Sequence, residues 1–174
     1  AWLGCQKTHV FNFRASVRPV AMDAHIQGFT GKHYCPRMAT MNKPCYSALR
    51  EHANDKPALI FVASRRQTRL TALDLIALAA ADDDTSSWVG CAVEELDALA
   101  RTAKDPALRH CLPFGVGVHH GGLNKPDRDC VEGLFTRGAI KVLVCTSTLA
   151  WGVNFPARLV IVKGTEFFDG KLGR

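Results

Sequence analysis

Ile140-Lys141-Val142-Leu143-Val144-Cys145-Thr146-Ser147-Thr148-Leu149-Ala150-Trp151-Gly152-Val153-Asn154 is the stretch whose reading decides the fold. Its apolar run, Val142 to Val144, breaks at Cys145-Thr146-Ser147-Thr148, where hydroxyls and then a glycine replace aliphatic side chains. A short apolar run between helical patterns reads as a buried parallel strand ending in a polar loop. Open α/β sheets bind their ligands beyond the carboxyl ends of such strands. One segment therefore supplies a core strand and, at its tip, groups that can do chemistry.

Working outward, residues 140–146 are the strand itself, and a short helical turn leads to a further strand at Leu159–Lys163. Residues 57–63 read as another buried strand and residues 115–119 as a short one. Helical periodicity runs over residues 38–52, with Pro44 in the first turn or at a kink. It recurs over Arg65–Ala81, with Leu70, Leu73, Ile76, Ala77 and Ala80 on one face. Residues 93–103 and 105–113 are shorter helices. Residues 125–137 are amphipathic, with Val131, Leu134 and Phe135 inward and Gly138 as the cap. Residues 17–29, with Pro19 and partial alternation at Ala24 and Ile26, read as an edge-type strand in a lead-in region spanning residues 1–30. Strands alternating with helices predict a mostly parallel sheet, covered on both faces and joined by right-handed crossovers.

The 174 residues suffice for a core. A chain of that size buries roughly 70% of its unfolded surface. Lys and Arg number 22 against 16 Asp and Glu, a net +6, which biases the chain modestly toward polyanions. The seven cysteines (Cys5, Cys35, Cys45, Cys91, Cys111, Cys130 and Cys145) are odd in number and contain no CxxC pair. This argues against a zinc site or disulfide framework and suits a reducing compartment. Cys130 and Cys145 fall on apolar patterns and read as core residues. No apolar run approaches the ~20 residues of a membrane span, and no apolar signal-peptide core follows the N-terminus. Ala1-Trp2-Leu3 and Lys171-Leu172-Gly173-Arg174 both read as cut ends. Residues 82–87 read as a solvated acidic turn rather than a metal loop.

Four strands end in unusual residues: Ser64-Arg65-Arg66, His119-His120-Gly121-Gly122, Thr146-Ser147-Thr148 and Gly164-Thr165-Glu166. A parallel sheet puts all four loops on one edge. Arg65, Arg66 and Arg69 then occupy the first turns of a helix whose N-cap is Ser64. Cations there oppose the helix dipole by roughly 0.3–1 kcal/mol each, a penalty that a bound phosphate reverses. An ordinary solvated arginine face is the competing reading. His119 and His120 are adjacent and diverge on an extended backbone, so they do not share one metal. They either bond a backbone phosphate or support the neighbouring loop, and Gly121-Gly122 allows close approach of another backbone. Thr146 and Thr148 carry hydroxyls suited to phosphate contacts. Trp151 reads as a core anchor, with a stacking platform for a base as the other reading. Asn154 offers an amide to a ribose or a water.

Two motifs are absent from the sequence. There is no G-x-x-x-x-G-K-[ST] loop and no adjacent Asp-Glu pair, so this chain does not hold Mg-ATP in the P-loop manner. A G-x-G-x-x-G dinucleotide loop is missing too, which ranks a small-molecule nucleotide domain last.

The residues resemble those of the second RecA-like domain of superfamily 2 helicases of the Ski-like group, along nearly the whole chain. Residues 57–66 look like helicase motif IV. Residues 114–123 look like the family's G-hydrophobic-HH-A-G-L segment, with Gly121 where alanine is usual. Residues 142–156 look like motif V. Within the group the likeness is greatest to the large two-cassette helicases, on the strings Val17-Arg18-Pro19-Val20, His25-Ile26-Gln27-Gly28-Phe29, His33-Tyr34-Cys35-Pro36-Arg37-Met38 and residues 65–72.

The resemblance implies an α/β, three-layer RecA-like fold. It implies single-stranded RNA or DNA gripped by Ser64, Arg65, Arg66, His119, His120, Gly122, Thr146 and Thr148. Gly152 and Asn154 would face ATP, whose Mg2+ is held mainly by the first RecA-like domain of the same polypeptide. It also implies 3′ to 5′ movement, a multi-subunit complex, an intracellular setting that is nuclear or also cytoplasmic, and motif VI with its arginine finger beyond Arg174. A catalytically silent cassette serving as a platform for protein partners stays open as the alternative.

Overall fold

The computed structural model describes Gly4, Gln6, residues 10–151 and residues 154–165. Among the described residues the strands are β1 (Ala58–Val62), β2 (Val116–His119), β3 (Val142–Cys145) and β4 (Leu159–Lys163). They form one sheet in the order β2-β3-β1-β4, every neighbouring pair parallel. The helices are α1 (Tyr34–Thr40), α2 (Asn42–His52), α3 (Arg65–Ala81), α4 (Val93–Thr102), α5 (Pro106–Cys111) and α6 (Lys125–Thr136).

Strand burial follows position in the sheet. β3 is flanked by two strands, and all four of its residues are buried, as an apolar run without alternation demands. β4 lies at an edge and alternates instead, leaving Val160 and Val162 exposed. β2, the other edge, is buried throughout because helices close over it. One covering contact is tight. A Cβ on Gly117 would come within 2.6 Å of the Val131 methyl on α6 and 2.8 Å of Ile140, so glycine at this point lets α6 lie close to the sheet. The crossover from β1 through α3, α4 and α5 passes over β3 to reach β2, and the return through α6 reaches β3. With right-handed crossovers these opposite steps place α3 and α6 on opposite faces, giving the three-layer RecA-like α/β fold. The core joins Leu59, Ile60, Leu75, Leu108, Phe135 and Leu143, each no more than 7% exposed.

Several expectations change. Residues 17–29 form no strand. Apart from a 3-10 turn at Ala15–Val17, the described chain from residue 10 to 33 is irregular and, but for the half-buried Phe29, exposed, with Ile26 at 95%. Partial alternation without a neighbouring strand to accept its hydrogen bonds does not make an edge. The helix expected over residues 38–52 is two helices that break at Met41, and Pro44 sits in the first turn of α2, where its missing N–H costs nothing. α3 has the expected bounds, but its buried stripe is Gln67, Thr68, Thr71, Ala72, Leu75, Ile76 and Ala79. Of the face read from the sequence only Ile76 is buried, and Leu70 is 37% exposed. The face that meets the sheet is small because the helix packs close, so Thr and Ala do what larger side chains were expected to do. Residues 140–146 shorten to β3, since Ile140 pairs separately with Val89 in an antiparallel bridge. Cys145 is buried as expected, whereas Cys130 is only half-buried.

Candidate nucleic-acid interface

Because all four strands run the same way, their carboxyl ends share one edge. His119 pairs in register with Cys145, and Cys145 with Phe61. The ladder runs one bond further, as the Thr146 N–H donates to the His119 carbonyl at 3.1 Å. Chain exits at residues 63, 120 and 146 therefore lie side by side. Leu149, 2% exposed, pins the 3-10 turn Ser147–Trp151 to the core and leaves Ser147 and Thr148 on the surface. Burial of a leucine contributes about 1.5–3 kcal/mol to holding such a turn.

Three of the four loops meet. The Thr146 and Thr148 hydroxyls are 2.9 Å apart. A Cβ on Gly121 would lie 3.9 Å from the Thr148 methyl, an ordinary contact. A Cβ on Gly122 would lie 2.6 Å from Arg65 Nη1 and 2.9 Å from its Cζ. The Arg65 guanidinium thus rests against the bare backbone of Gly122, where any side chain would displace it. Neither glycine has a positive φ, so space at Gly122, not backbone freedom, is what glycine supplies.

Ser64 is the N-cap expected of it. It is extended at φ −149° and ψ 158°, and its Oγ accepts the Gln67 N–H at 3.3 Å. Its hydroxyl hydrogen is left to donate elsewhere. Arg65, Arg66 and Arg69 are exposed, and among the described residues no carboxylate pairs with any of them. Three unpaired guanidinium groups at the positive end of a 17-residue helix make this edge a strong attractor of anions.

The two histidines behave differently from surface ligands. His119 is 5% exposed and its Nε2 lies 2.8 Å from Glu132 Oε1 on α6, while its Nδ1 has no hydrogen-bond partner. His120 is 4% exposed, and its Nδ1 accepts the Gly122 N–H at 3.2 Å. Burial, then the nearby Arg65 charge, hold the His120 imidazole below the usual histidine range. Of the two roles read for this pair, loop support is the one these bonds serve. Asn154 is exposed and Thr146 half-buried. Gly152 lies outside the described residues, as does the Trp151 side chain. Among the described residues, neither Arg66 nor Asn154 shares a hydrogen bond or ion pair with the Arg65–Gly122–Thr148 line. Among the described residues no three His, Cys, Asp or Glu side chains converge as metal ligands.

Residues that sequence reasoning missed hold this edge from beneath. Asp127, 4% exposed, accepts N–H groups from Lys104 and Asp105 at 3.0 and 2.8 Å and the Asn124 amide at 3.1 Å. Lys163, 2% exposed, donates to Asn42 and to Thr71 Oγ1, and Asn42 passes the chain on to Asp74. Little that is local in the sequence marks either one, since apart from Asn124 their partners are between 22 and 121 positions away. For Asp127, the N-cap Asn124 three residues earlier was the nearest signal.

The family model described as helicase conserved C-terminal domain matches residues 41–168. The chain belongs to that family. Among curated proteins it is 56% identical over 173 residues to activating signal cointegrator 1 complex subunit 3 of Mus musculus, covering 99% of this chain and 8% of that protein. The Danio rerio protein of the same name is 58% identical, with 99% and 11% covered. The DExH-box ATP-dependent RNA helicase DExH14 of Arabidopsis thaliana is 58% identical, with 99% and 8% covered. The chain thus spans about a tenth or less of the length of the curated relatives it matches. These likenesses agree with the resemblance read from the motifs to large Ski-like helicases. Among solved structures, the DUF1998 helicase MrfA bound to DNA and AMPPNP aligns with a TM-score of 0.47 at 15% identity, over 74% of this chain and 14% of that one.

Proposed function

We propose that this chain is the second RecA-like domain of an ATP-dependent helicase motor and grips the backbone of a single RNA or DNA strand along its Arg65–Gly122–Thr148–Thr146 edge. The observation that carries the reading is the convergence of an unpaired guanidinium, bare glycine backbone and two hydroxyls on one edge of a parallel sheet in a helicase family member. These are groups that bond phosphate and sugar without reading bases. Ser64 and Arg66 extend the track, and His119 and His120 shape it from below.

ATP and Mg2+ belong to the complete motor. The phosphate loop comes from the first RecA-like domain of the same polypeptide, and Gly152 and Asn154 are this chain's contribution to the nucleotide. Bound ATP supplies the free energy of hydrolysis. Closure of the two domains changes the spacing of two backbone-gripping edges, and reopening moves the motor along the strand from 3′ to 5′. That some relatives are named as a subunit of a complex supports a place in a multi-subunit complex. A reducing intracellular setting, nuclear or also cytoplasmic, suits the unpaired Cys35, Cys45, Cys91, Cys111, Cys130 and Cys145.

The test is strand-stimulated ATP hydrolysis and strand affinity of the complete helicase carrying Arg65→Ala or Thr146→Ala. Arg65→Ala is expected to weaken binding across all sequences and to reduce the salt slope by about 0.7, the share of one phosphate contact on a single strand. Unchanged affinity and turnover in both variants would overturn the gripping role. Strand binding without any turnover in the unmodified protein would favour a silent cassette that serves as a protein platform.

A further inference from the structure

The turn that carries Gly122 is built on one side chain. The His120 carbonyl accepts the Leu123 N–H at 3.1 Å, closing a four-residue turn over Gly121 and Gly122. Inside it, His120 Nδ1 accepts the Gly122 N–H. An Nδ1 that accepts carries no hydrogen, so the imidazole proton sits on Nε2. That nitrogen faces Asp105 Oδ2 at 3.7 Å. Asp105 is itself held: its Oδ1 caps α5 through the Ala107 N–H at 2.8 Å, and its own N–H is bound by the buried Asp127. A rigid line therefore runs from α6 through Asp127, Asp105 and His120 to the glycine on which Arg65 rests.

We propose that His120 acts as a positioning residue for Arg65, its uncharged imidazole setting the height of Gly122 and so the place of the guanidinium on the strand. This deepens the gripping role proposed above and rests on it. The imidazole has to be uncharged because a proton on Nδ1 would point at the Gly122 N–H, donor against donor. The charged groups facing it are Arg65 from α3, which disfavours a second positive charge, Asp105 from the α5 cap, which favours one, and His119 from β2. Glu132 of α6 is occupied by His119. Burial and Arg65 prevail, and the imidazole titrates below its ordinary 6.5. The unfolded chain then binds more protons than the folded one below that value, so the support weakens as the pH falls beneath 6.5 and is whole above it.

The experiment compares His120→Asn, His120→Gln and Arg65→Ala in the complete helicase, singly and as the His120→Gln/Arg65→Ala pair. Asn keeps an acceptor where Nδ1 lies and does not titrate. Gln places its polar atoms near Nε2 and loses the Gly122 bond. His120→Gln is expected to raise the strand concentration for half-maximal ATP turnover about tenfold, with turnover at saturating strand unchanged. In the pair the loss should equal that of Arg65→Ala alone, because residues acting through one another are non-additive. His120→Asn is expected to stay within about twofold of the unmodified protein at neutral pH, and to remove the part of its decline in strand affinity below about pH 6.5 that belongs to His120.

Additive losses in the pair, or His120→Asn as weak as His120→Gln, would overturn the inference while leaving the gripping role intact. An Arg65→Ala variant that binds strand normally would instead overturn the gripping role. Thermal midpoints of each variant separate a shifted turn from a lost fold, since a purely structural histidine would lower the midpoint without coupling to Arg65.

Discussion

Gly122→Ala isolates the interface from the fold. The new methyl would stand 2.6 Å from Arg65 Nη1, and ordinary contact begins at 3.4 Å, so the guanidinium must retreat by at least the difference, 0.8 Å. What moves is the free end of an exposed arginine, which yields at little cost to the core. Alanine also restricts the unfolded chain, a gain of about 0.4–1 kcal/mol where the backbone tolerates it. Folding stability should therefore stay within about 1 kcal/mol of the parent. Strand affinity should not. A hydrogen bond to a charged group contributes about 1.5–3 kcal/mol, and a donor displaced by most of an ångström forfeits a large part of it. Loss of about 1.4 kcal/mol makes binding tenfold weaker.

Gly121→Ala is the matched control, because its methyl meets only the Thr148 methyl at 3.9 Å. It should bind strand as the parent does. The assay is fluorescence anisotropy with a labelled single strand over a salt series, beside thermal unfolding, in the complete helicase. Gly122→Ala should shift affinity at every salt concentration with the slope retained, since the charge remains near the strand. Equal behaviour of the two alanine variants, or a Gly122→Ala loss that merely tracks unfolding, would refute the reasoning.

Two further outcomes follow from the buried groups. Asp127→Ala removes the carboxylate, itself only 4% exposed, that accepts the Lys104 and Asp105 N–H groups, at about 1–3 kcal/mol for each donor left without a partner. Hydrogen exchange of the peptide spanning residues 103–106 should accelerate by at least tenfold, about 1.4 kcal/mol of local opening, and unchanged protection would show that the clamp is not the source of order there. Burial pushes the Cys45, Cys111 and Cys145 thiols up to about 12. Their thiolate fraction at pH 8 is then about 10⁻⁴, and iodoacetamide should label the exposed Cys35 while sparing all three in the native protein. Labelling of the three at the rate of Cys35, read by peptide mass spectrometry, would contradict their burial.

The elements legible in the chain were those whose signals are local. The cap at Ser64, the bounds of Arg65–Ala81, the inward set Val131, Leu134 and Phe135, and the strand at Leu159–Lys163 all announce themselves within a few residues. The inward face of α3 did not, because how closely a helix approaches its sheet decides whether Leu70 or Thr71 is covered. Residues 17–29 misled for a related reason: alternation describes a strand only when another strand is there to pair with it.

By itself, the sequence determined the order of helices and strands, the parallel sense of the sheet and hence the shared edge of Ser64, His119 and Thr146. Periodicity and chain handedness act over short spans and leave few other arrangements. Tertiary structure alone decided that Arg65 lies on Gly122, that His120 faces inward to hold that glycine, and that Asp127 and Lys163 anchor the edge from below. Those contacts join residues far apart in the chain, and their geometry is set by packing distances of tenths of an ångström that no local pattern encodes.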